Sequence, residues 1–277
     1  MTHAADQPAE ATAIAGPDAG WRPKAVALDI DGTLMDFNEQ MTDSLRDAVA
    51  RAAREVPIIL ATGRSWHMTE TVARELGLPA GIVVCSNGAR TLRYPSGEVL
   101  DERTFDATRV IASVRQHAPT ALMAVEEATA GYRVTGHFPS GDLGGEIRVV
   151  TDEELAPEPV TRLIIRDPER SEADFVELAE RLGLHGVSYA VGWTAWLDIA
   201  PEGVDKSVGL KVALDELGLQ AADLLAMGDG RNDIEMLRFA GLGVAMGSAP
   251  DEVKQAAGEV TKSIQDDGAV AILNRYF

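Results

Sequence analysis

Lys24-Ala25-Val26-Ala27-Leu28-Asp29-Ile30-Asp31-Gly32-Thr33-Leu34 opens as an apolar run and ends in two carboxylates at a glycine turn. Almost two hundred residues later, Leu224-Leu225-Ala226-Met227-Gly228-Asp229-Gly230-Arg231-Asn232-Asp233 has the same build. If both runs are strands of one sheet, four aspartates, Asp29, Asp31, Asp229 and Asp233, converge on one rim. Like charges a few ångströms apart cannot all stay ionised unaided, so such a cluster calls for a cation. A site made of carboxylates, with no soft ligand, suits a hard ion such as Mg2+.

Between the two runs the pattern alternates. Lys24 to Ile30 reads as a first strand and Thr42 to Glu55 as a helix with Leu45, Ala48, Val49 and Ala52 on one face. Pro57 to Ala61 is a second buried strand ending at Thr62-Gly63-Arg64, and a helix marked by Met68, Val72 and Leu76 precedes a third strand at Gly81 to Cys85. Strands alternating with helices predict a parallel sheet covered on both faces, an α/β fold. After Ser86-Asn87-Gly88 the texture changes to short polar strands at Thr91 to Tyr94, Gly97 to Leu100 and Gly131 to Thr135. A helix at Asp106 to His117, a strand at Val160 to Arg166 and a helix at Glu172 to Leu182 follow. Parallel alternation returns with helix Lys206 to Leu217, strand Leu224 to Met227, helix Asp233 to Ala240, strand Gly243 to Met246 and a last helix near the end. The reading is a discontinuous core, residues 21–87 plus 200–277, interrupted by an α+β insertion at 88–199, with residues 1–20 a mobile tail.

On that sheet Asp29, Thr62 and Asp229 each stand where a parallel strand ends, the rim at which open α/β sheets bind ligands. Helices starting near Lys206 and Asn232 turn their N-terminal amides to the same rim and add donors for an anion. Carboxylates, a hard cation, a hydroxyl, an ammonium and helix N-termini together describe a phosphoryl-transfer site.

Asp29-x-Asp31-Gly-Thr, Thr62-Gly-Arg, Lys206 and Gly228-Asp229-Gly-x-Asn232-Asp233 resemble the four ordered motifs of the haloacid dehalogenase (HAD) superfamily. Within it, Ser86-Asn87-Gly88-Ala89, Val244-Ala245-Met246-Gly247 and Asp267-Gly268-Ala269-Val270 are similar to the Cof-type hydrolases of subfamily IIB. The likeness covers almost all of the core, while the insertion matches by position and coarse pattern. It implies a Rossmann-type parallel-sheet core with an inserted α+β cap, and a Mg2+-dependent phosphatase working through an aspartyl phosphate. By the same resemblance Asp29 would be the nucleophile and a metal ligand. Asp31 would be the general acid and base, its backbone carbonyl also on the metal. Thr62, with Gly63 beside it, would bind a phosphoryl oxygen, and Lys206 would offset charge between nucleophile and phosphate. Asp229 would hold the metal directly, Asp233 would bind it or stand behind a ligand, and Asn232 would orient phosphate or a metal water. Ser248 departs from the pattern by standing where Cof-type members commonly carry Asn; its shorter reach would leave a hydroxyl contact to the metal-binding loop.

Each motif alone has a bland reading: Asp-x-Asp-Gly as a solvated turn, Thr-Gly-Arg as nothing, Lys206 as a surface lysine, Gly-Asp-Gly-x-Asn-Asp as a capped helix start. Their order at successive strand ends is what favours catalysis. Gly141-Asp142-Leu143-Gly144-Gly145 lacks the ending of a phosphate-binding P-loop and reads as a loop. The five histidines, His3, His67, His117, His137 and His185, show no zinc spacing, and neither Ser65 nor Ser86 sits in a nucleophile elbow. Cys85, the single cysteine, forms no internal disulfide and reads as a small buried side chain.

A net charge of -19 over 277 residues repels nucleic acid and anionic membrane surfaces, and 45% hydrophobic residues suffice for a core. No segment reads as a transmembrane helix or a secretory signal, so a cytoplasmic location is expected. In the insertion every basic side chain except histidine is arginine, Arg162 and Arg166 among them; these could grip a second phosphate or a sugar acid by bidentate contact, but a compositional bias, in a chain with five lysines, is the readier reading. Trp193, near a hinge, reads more readily as a packing residue than as a ring-stacking one. The expected partner is a small phosphorylated metabolite, a sugar phosphate or a nucleotide-like cofactor. A phosphomutase of the same architecture and a catalytically silent phosphate-binding protein are the alternatives.

Overall fold

The computed structural model describes residues 20–36, 38–127, 131–167, 187–192 and 196–277. The tail at 1–19, the helix expected at 172–182 and Trp193 lie outside the described residues. Among those described, strands β1 (Ala25–Leu28), β2 (Ile58–Ala61), β3 (Gly81–Cys85), β4 (Arg90–Tyr94) and β5 (Val99–Glu102) are followed by β6 (Leu122–Glu127), β7 (Gly131–Val134), β8 (Glu146–Val149), β9 (Leu163–Arg166), β10 (Val187–Gly192) and β11 (Trp196–Pro201). The last three are β12 (Leu224–Gly228), β13 (Leu242–Ala245) and β14 (Glu259–Val260). The helices are α1 (Asp43–Ala52), α2 (Trp66–Glu75), α3 (Thr108–His117), α4 (Asp152–Leu155), α5 (Lys206–Leu217), α6 (Ile234–Phe239), α7 (Asp251–Ala256) and α8 (Gly268–Tyr276).

One sheet has the order β14-β13-β12-β1-β2-β3-β4-β5, parallel from β14 to β3. Alternation along the central strands feeds both of its faces. Val26 and Leu28 of β1 and Leu225 and Met227 of β12 pack beneath α1, α2 and α8, while Ala25, Ala27, Leu224 and Ala226 pack beneath α5, α6 and α7. The inner face of α1 is Leu45, Ala48, Val49 and Ala52, as its period demands, and its N-terminus is capped by the Thr42 hydroxyl accepting from the Leu45 amide at 3.2 Å. Helix α5 spans the predicted residues. It is capped by Asp205, which accepts from the Ser207 amide at 2.8 Å, and closed by Gly218 at φ +67°.

The two strands expected to open the insertion belong instead to this sheet: β4 runs antiparallel to β3, and β5 antiparallel to β4. The cause is the turn between β3 and β4. Ser86 (φ 51°), Asn87 (φ 53°) and Gly88 (φ 94°) are all left-handed, which reverses the chain along the edge of β3. A Cβ on Gly88 would also lie 1.9 Å from the Asp205 carbonyl oxygen, so this position admits only glycine. A short polar strand does not carry in its own sequence the identity of the sheet edge it joins.

The second sheet has the order β10-β11-β9-β6-β7-β8, antiparallel except for β7 beside β8. One face packs Met123, Val125, Leu163, Ile165, Leu197 and Ile199 against Ile111 and Val114 of α3 and Leu155 of α4. By alternation the other face carries Tyr132, Ile164, Trp196 and Asp198, turned toward the rim of the first sheet. Strands β6, β8 and β10 had no counterpart in the sequence reading. No helix among the described residues is long and apolar enough to cross a membrane.

Candidate active site

Asp29 is the residue after β1, its amide donating to the Met227 carbonyl at 3.0 Å and so continuing the β1–β12 ladder by one step. Asp229 follows β12 and Thr62 follows β2, so the three polar residues project from adjacent parallel strands. Lys206 is the first residue of α5 and is wholly buried, its Nζ 2.6 Å from Asp29 Oδ1 and 2.5 Å from Asp233 Oδ1. The second Asp233 oxygen accepts the Asp229 and Gly230 amides, each at 2.9 Å. Carboxylate oxygens of Asp29, Asp229 and Asp233 lie within 4.8 Å of one another.

The turn chemistry allows this crowding. Gly32, at φ +81°, faces the Asp229 carboxylate so closely that a Cβ would stand 2.1 Å from its oxygen. Burial first, then Asp233, push the Asp29 carboxyl well above the ordinary carboxylate range, with Lys206 pulling against them. The same two causes push Asp229 up to about 7. Burial opposes the Lys206 charge, but Asp233 and Asp29 outweigh it and hold the ammonium above an ordinary lysine. One cation thus serves three carboxylates, and two of the three remain under-compensated. An all-oxygen donor set short of positive charge fits a hard divalent ion. Asp29 and Asp229 face the open cavity, whereas Asp233, with both oxygens taken by protein donors, does not.

Asp31 borders the same cavity, yet its carboxylate is gripped by Arg64, Nε to Oδ2 at 3.0 Å and Nη2 to Oδ1 at 2.6 Å. The Thr62 hydroxyl oxygen accepts the Arg64 amide at 3.1 Å, which leaves its own proton to donate, and Gly63 lines the cavity. Asn232 donates to Asn87 Oδ1 at 3.0 Å, and Asn87 Nδ2 stands 3.5 Å from Asp198 Oδ2 on the second sheet. A polar chain therefore runs from the rim, through the turn after β3, to the facing wall. The cavity between the two sheets is ≈ 330 Å³.

The eight candidate site residues, Asp29, Asp31, Thr62, Gly63, Lys206, Asp229, Asn232 and Asp233, therefore all stand at this rim. The grip of Arg64 on Asp31, the Asn87 link and the wall of Tyr132, Trp196 and Asp198 were missed, and Arg162, one of the insertion arginines read as able to grip an anion, is committed to Asp198. The turn signal of Asn87-Gly88 is the local hint of the Asn87 link, and no local pattern marks the wall. The loop at Gly141-Asp142-Leu143 borders the cavity. Ser248, in contrast, is exposed and not part of the cavity wall. Cys85 is buried, its thiol pushed up to about 12 by burial, as befits an inert side chain.

A family model for haloacid dehalogenase-like hydrolases matches residues 26–273. The chain is 28% identical over 253 residues to a phosphoglycolate phosphatase of Archaeoglobus fulgidus, covering 91% of this chain and 96% of that one. It is 26% identical over 281 residues to the 5-amino-6-(5-phospho-D-ribitylamino)uracil phosphatase YitU of Bacillus subtilis, covering 92% and 98%. The solved structure of a HAD subclass IIB sugar phosphatase superposes with a TM-score of 0.76 at 25% identity, covering 91% of this chain and 98% of that one. The chain belongs to the haloacid dehalogenase-like hydrolases. It is a phosphoric monoester hydrolase with the fold of that family.

Proposed function

We propose that the chain is a Mg2+-dependent phosphatase that hydrolyses a small phosphorylated metabolite through a phosphorylated Asp29. The buried Lys206 ammonium, shared between Asp29 and Asp233 at the strand ends, carries this reading. It engages one oxygen of Asp29 and leaves the other for attack on phosphorus. That oxygen forms the new P–O bond as the ester P–O bond breaks, and Asp31 gives its proton to the departing alcohol. Asp31 then takes a proton from the water that attacks the phosphoaspartate, releasing phosphate and restoring Asp29. The Thr62 hydroxyl and the Asn232 amide are the donors placed to hold phosphoryl oxygens, with the Gly63 backbone alongside. Asp29, Asp229 and the main chain of Asp31 would hold Mg2+, with Asp233 bracing Lys206 and the 229–230 turn. When bound, that ion would supply the positive charge the carboxylates and the phosphoryl group share.

The test is phosphate release from 4-nitrophenyl phosphate. Release is expected with Mg2+, lost in EDTA and restored by excess Mg2+. Release indifferent to EDTA would remove the metal from the reading, and no release from any monoester would remove the activity.

The ion-free protein should also show the strain of the cluster. Folded Asp229 keeps its proton up to about 7, whereas an ordinary carboxyl loses it near 3.8. Between those values the folded state holds more protons than the unfolded one, so this group's contribution to stability falls as pH rises. Thermal melts in EDTA should therefore show it working against the fold from about pH 5 to about pH 7.5, and Mg2+ should raise Tm more at the upper end, where the ion no longer competes with protons. An equal Mg2+ shift at both pH values would contradict this assignment.

A further inference from the structure

The cationic side chains lining the cavity among the described residues are Arg64 and Arg162. Both are committed. Arg64 grips Asp31 through two hydrogen bonds and stands 3.3 Å from Glu39. Arg162, almost fully buried, grips Asp198 on the wall opposite Asp29, Nε to Oδ1 at 2.7 Å and Nη2 to Oδ2 at 2.8 Å. Its guanidinium carbon also lies 5.9 Å from the centre of the Trp196 ring, a planar seat that fixes the fork. Asp142, the next acidic group on that wall, is paired with Arg166 at 2.9 Å. With Asp29 and Asp229 reserved for the phosphoryl end, no described cation faces the leaving-group end unmatched.

We infer that the leaving alcohol is neutral and hydroxyl-bearing, and that Asp198, held by Arg162, is the residue that selects it. This rests on the phosphatase reading above. Asp198 Oδ2 is approached by Arg162 and, at 3.5 Å, by Asn87 Nδ2, so Oδ1 is the oxygen with acceptor capacity to spare, and the pair offers a hydroxyl group a charge-assisted acceptor in a fixed orientation. A second carboxylate or phosphate on the leaving group would meet Asp198 instead of a free guanidinium and would have to displace it from Arg162. Trp196 on the same wall gives the carbon skeleton an aromatic surface, while Tyr132 borders the cavity almost wholly buried. The cavity, ≈ 330 Å³, lies at the lower end for small-ligand pockets, which suits one ring or a short polyol beside the phosphate. The inference separates this chain from a phosphatase whose substrate carries a carboxylate, as phosphoglycolate does.

The experiment compares kcat/KM of the wild-type protein with Mg2+ on two pairs: glycerol 3-phosphate against phosphoglycolate, and glucose 6-phosphate against fructose 1,6-bisphosphate. The neutral member of each pair should lead by about tenfold or more, the scale of one hydrogen bond to a charged group. In Asp198→Asn the freed Arg162 should raise kcat/KM on phosphoglycolate and lower it on glycerol 3-phosphate, each by about tenfold. Because a buried arginine left alone can destabilise a fold, the double variant Arg162→Gln/Asp198→Asn is made beside it and should gain nothing on phosphoglycolate. A wild-type preference for the anionic member of both pairs, with 4-nitrophenyl phosphate still turned over, would overturn the inference alone. Loss of all turnover, that probe included, would overturn the phosphatase reading and this inference with it.

Discussion

Asp29→Asn is expected to abolish phosphate release, with a fall on the order of 10⁴-fold or more, because it removes the proposed nucleophile. The amide is isosteric, and its oxygen still meets Lys206 Nζ, so the site keeps its shape. Burial and Asp233 push the native carboxyl upward, which means that its surroundings disfavour its charge. The neutral variant should therefore melt no lower than the wild type in EDTA at pH 8. Phosphate release followed beside a circular-dichroism melt measures both. Turnover within tenfold of wild type would move the nucleophile elsewhere, and a collapsed melt would show that Asp29 is needed for folding.

The second large effect is expected at Lys206. With the ammonium replaced in Lys206→Met, Asp29 and Asp233 face each other in a buried site without the cation that both contact. Breaking a buried pair by removing one partner costs about 3–5 kcal/mol, and losing a fixed charge at the reacting centre costs about 10²–10³ in kcat. The stability loss should shrink at pH 5, where the Asp29 carboxyl, already pushed upward by burial, can take up a proton. Urea unfolding in EDTA at pH 5 and pH 8 checks this. Equal midpoints for variant and wild type at pH 8 would mean that the ammonium does not hold the cluster together.

The parts of the site that sequence made legible are those set by local chain. A strand's last residue, the glycine that lets the next turn crowd it and the first residue of a capped helix are each fixed within a few positions. Asp29, Thr62, Lys206 and Asp229 are all of that kind, and so is the α5 span from Lys206 to Leu217. What escaped depends on pairs far apart in sequence. Arg64 meets Asp31 across 33 residues, Asn232 meets Asn87 across 145, and Asn87 meets Asp198 across 111. Nothing in Thr-Gly-Arg or Ser-Asn-Gly-Ala states those distances. The leaving-group wall was illegible for a related reason: Arg162 immediately precedes β9 and Asp198 lies on the neighbouring antiparallel β11, and only the folded sheet defines their register. The same ignorance of register let β4 and β5 be read into the insertion.

The pairing of β1 with β12 has a consequence for synthesis. Ala25 lies opposite Leu224, so the sheet's central strand leaves the ribosome 199 residues (224 − 25) ahead of one of its two neighbours. At about 5–20 residues per second that interval is roughly 10–40 s. Throughout it the chain carrying Asp29 presents one bare hydrogen-bonding edge, while the intervening segment, with an apolar centre of its own, can already collapse. Any polypeptide that stops short of residue 224 keeps Asp29 on the open side of a half-built sheet, where the nearest complementary strand is another copy's.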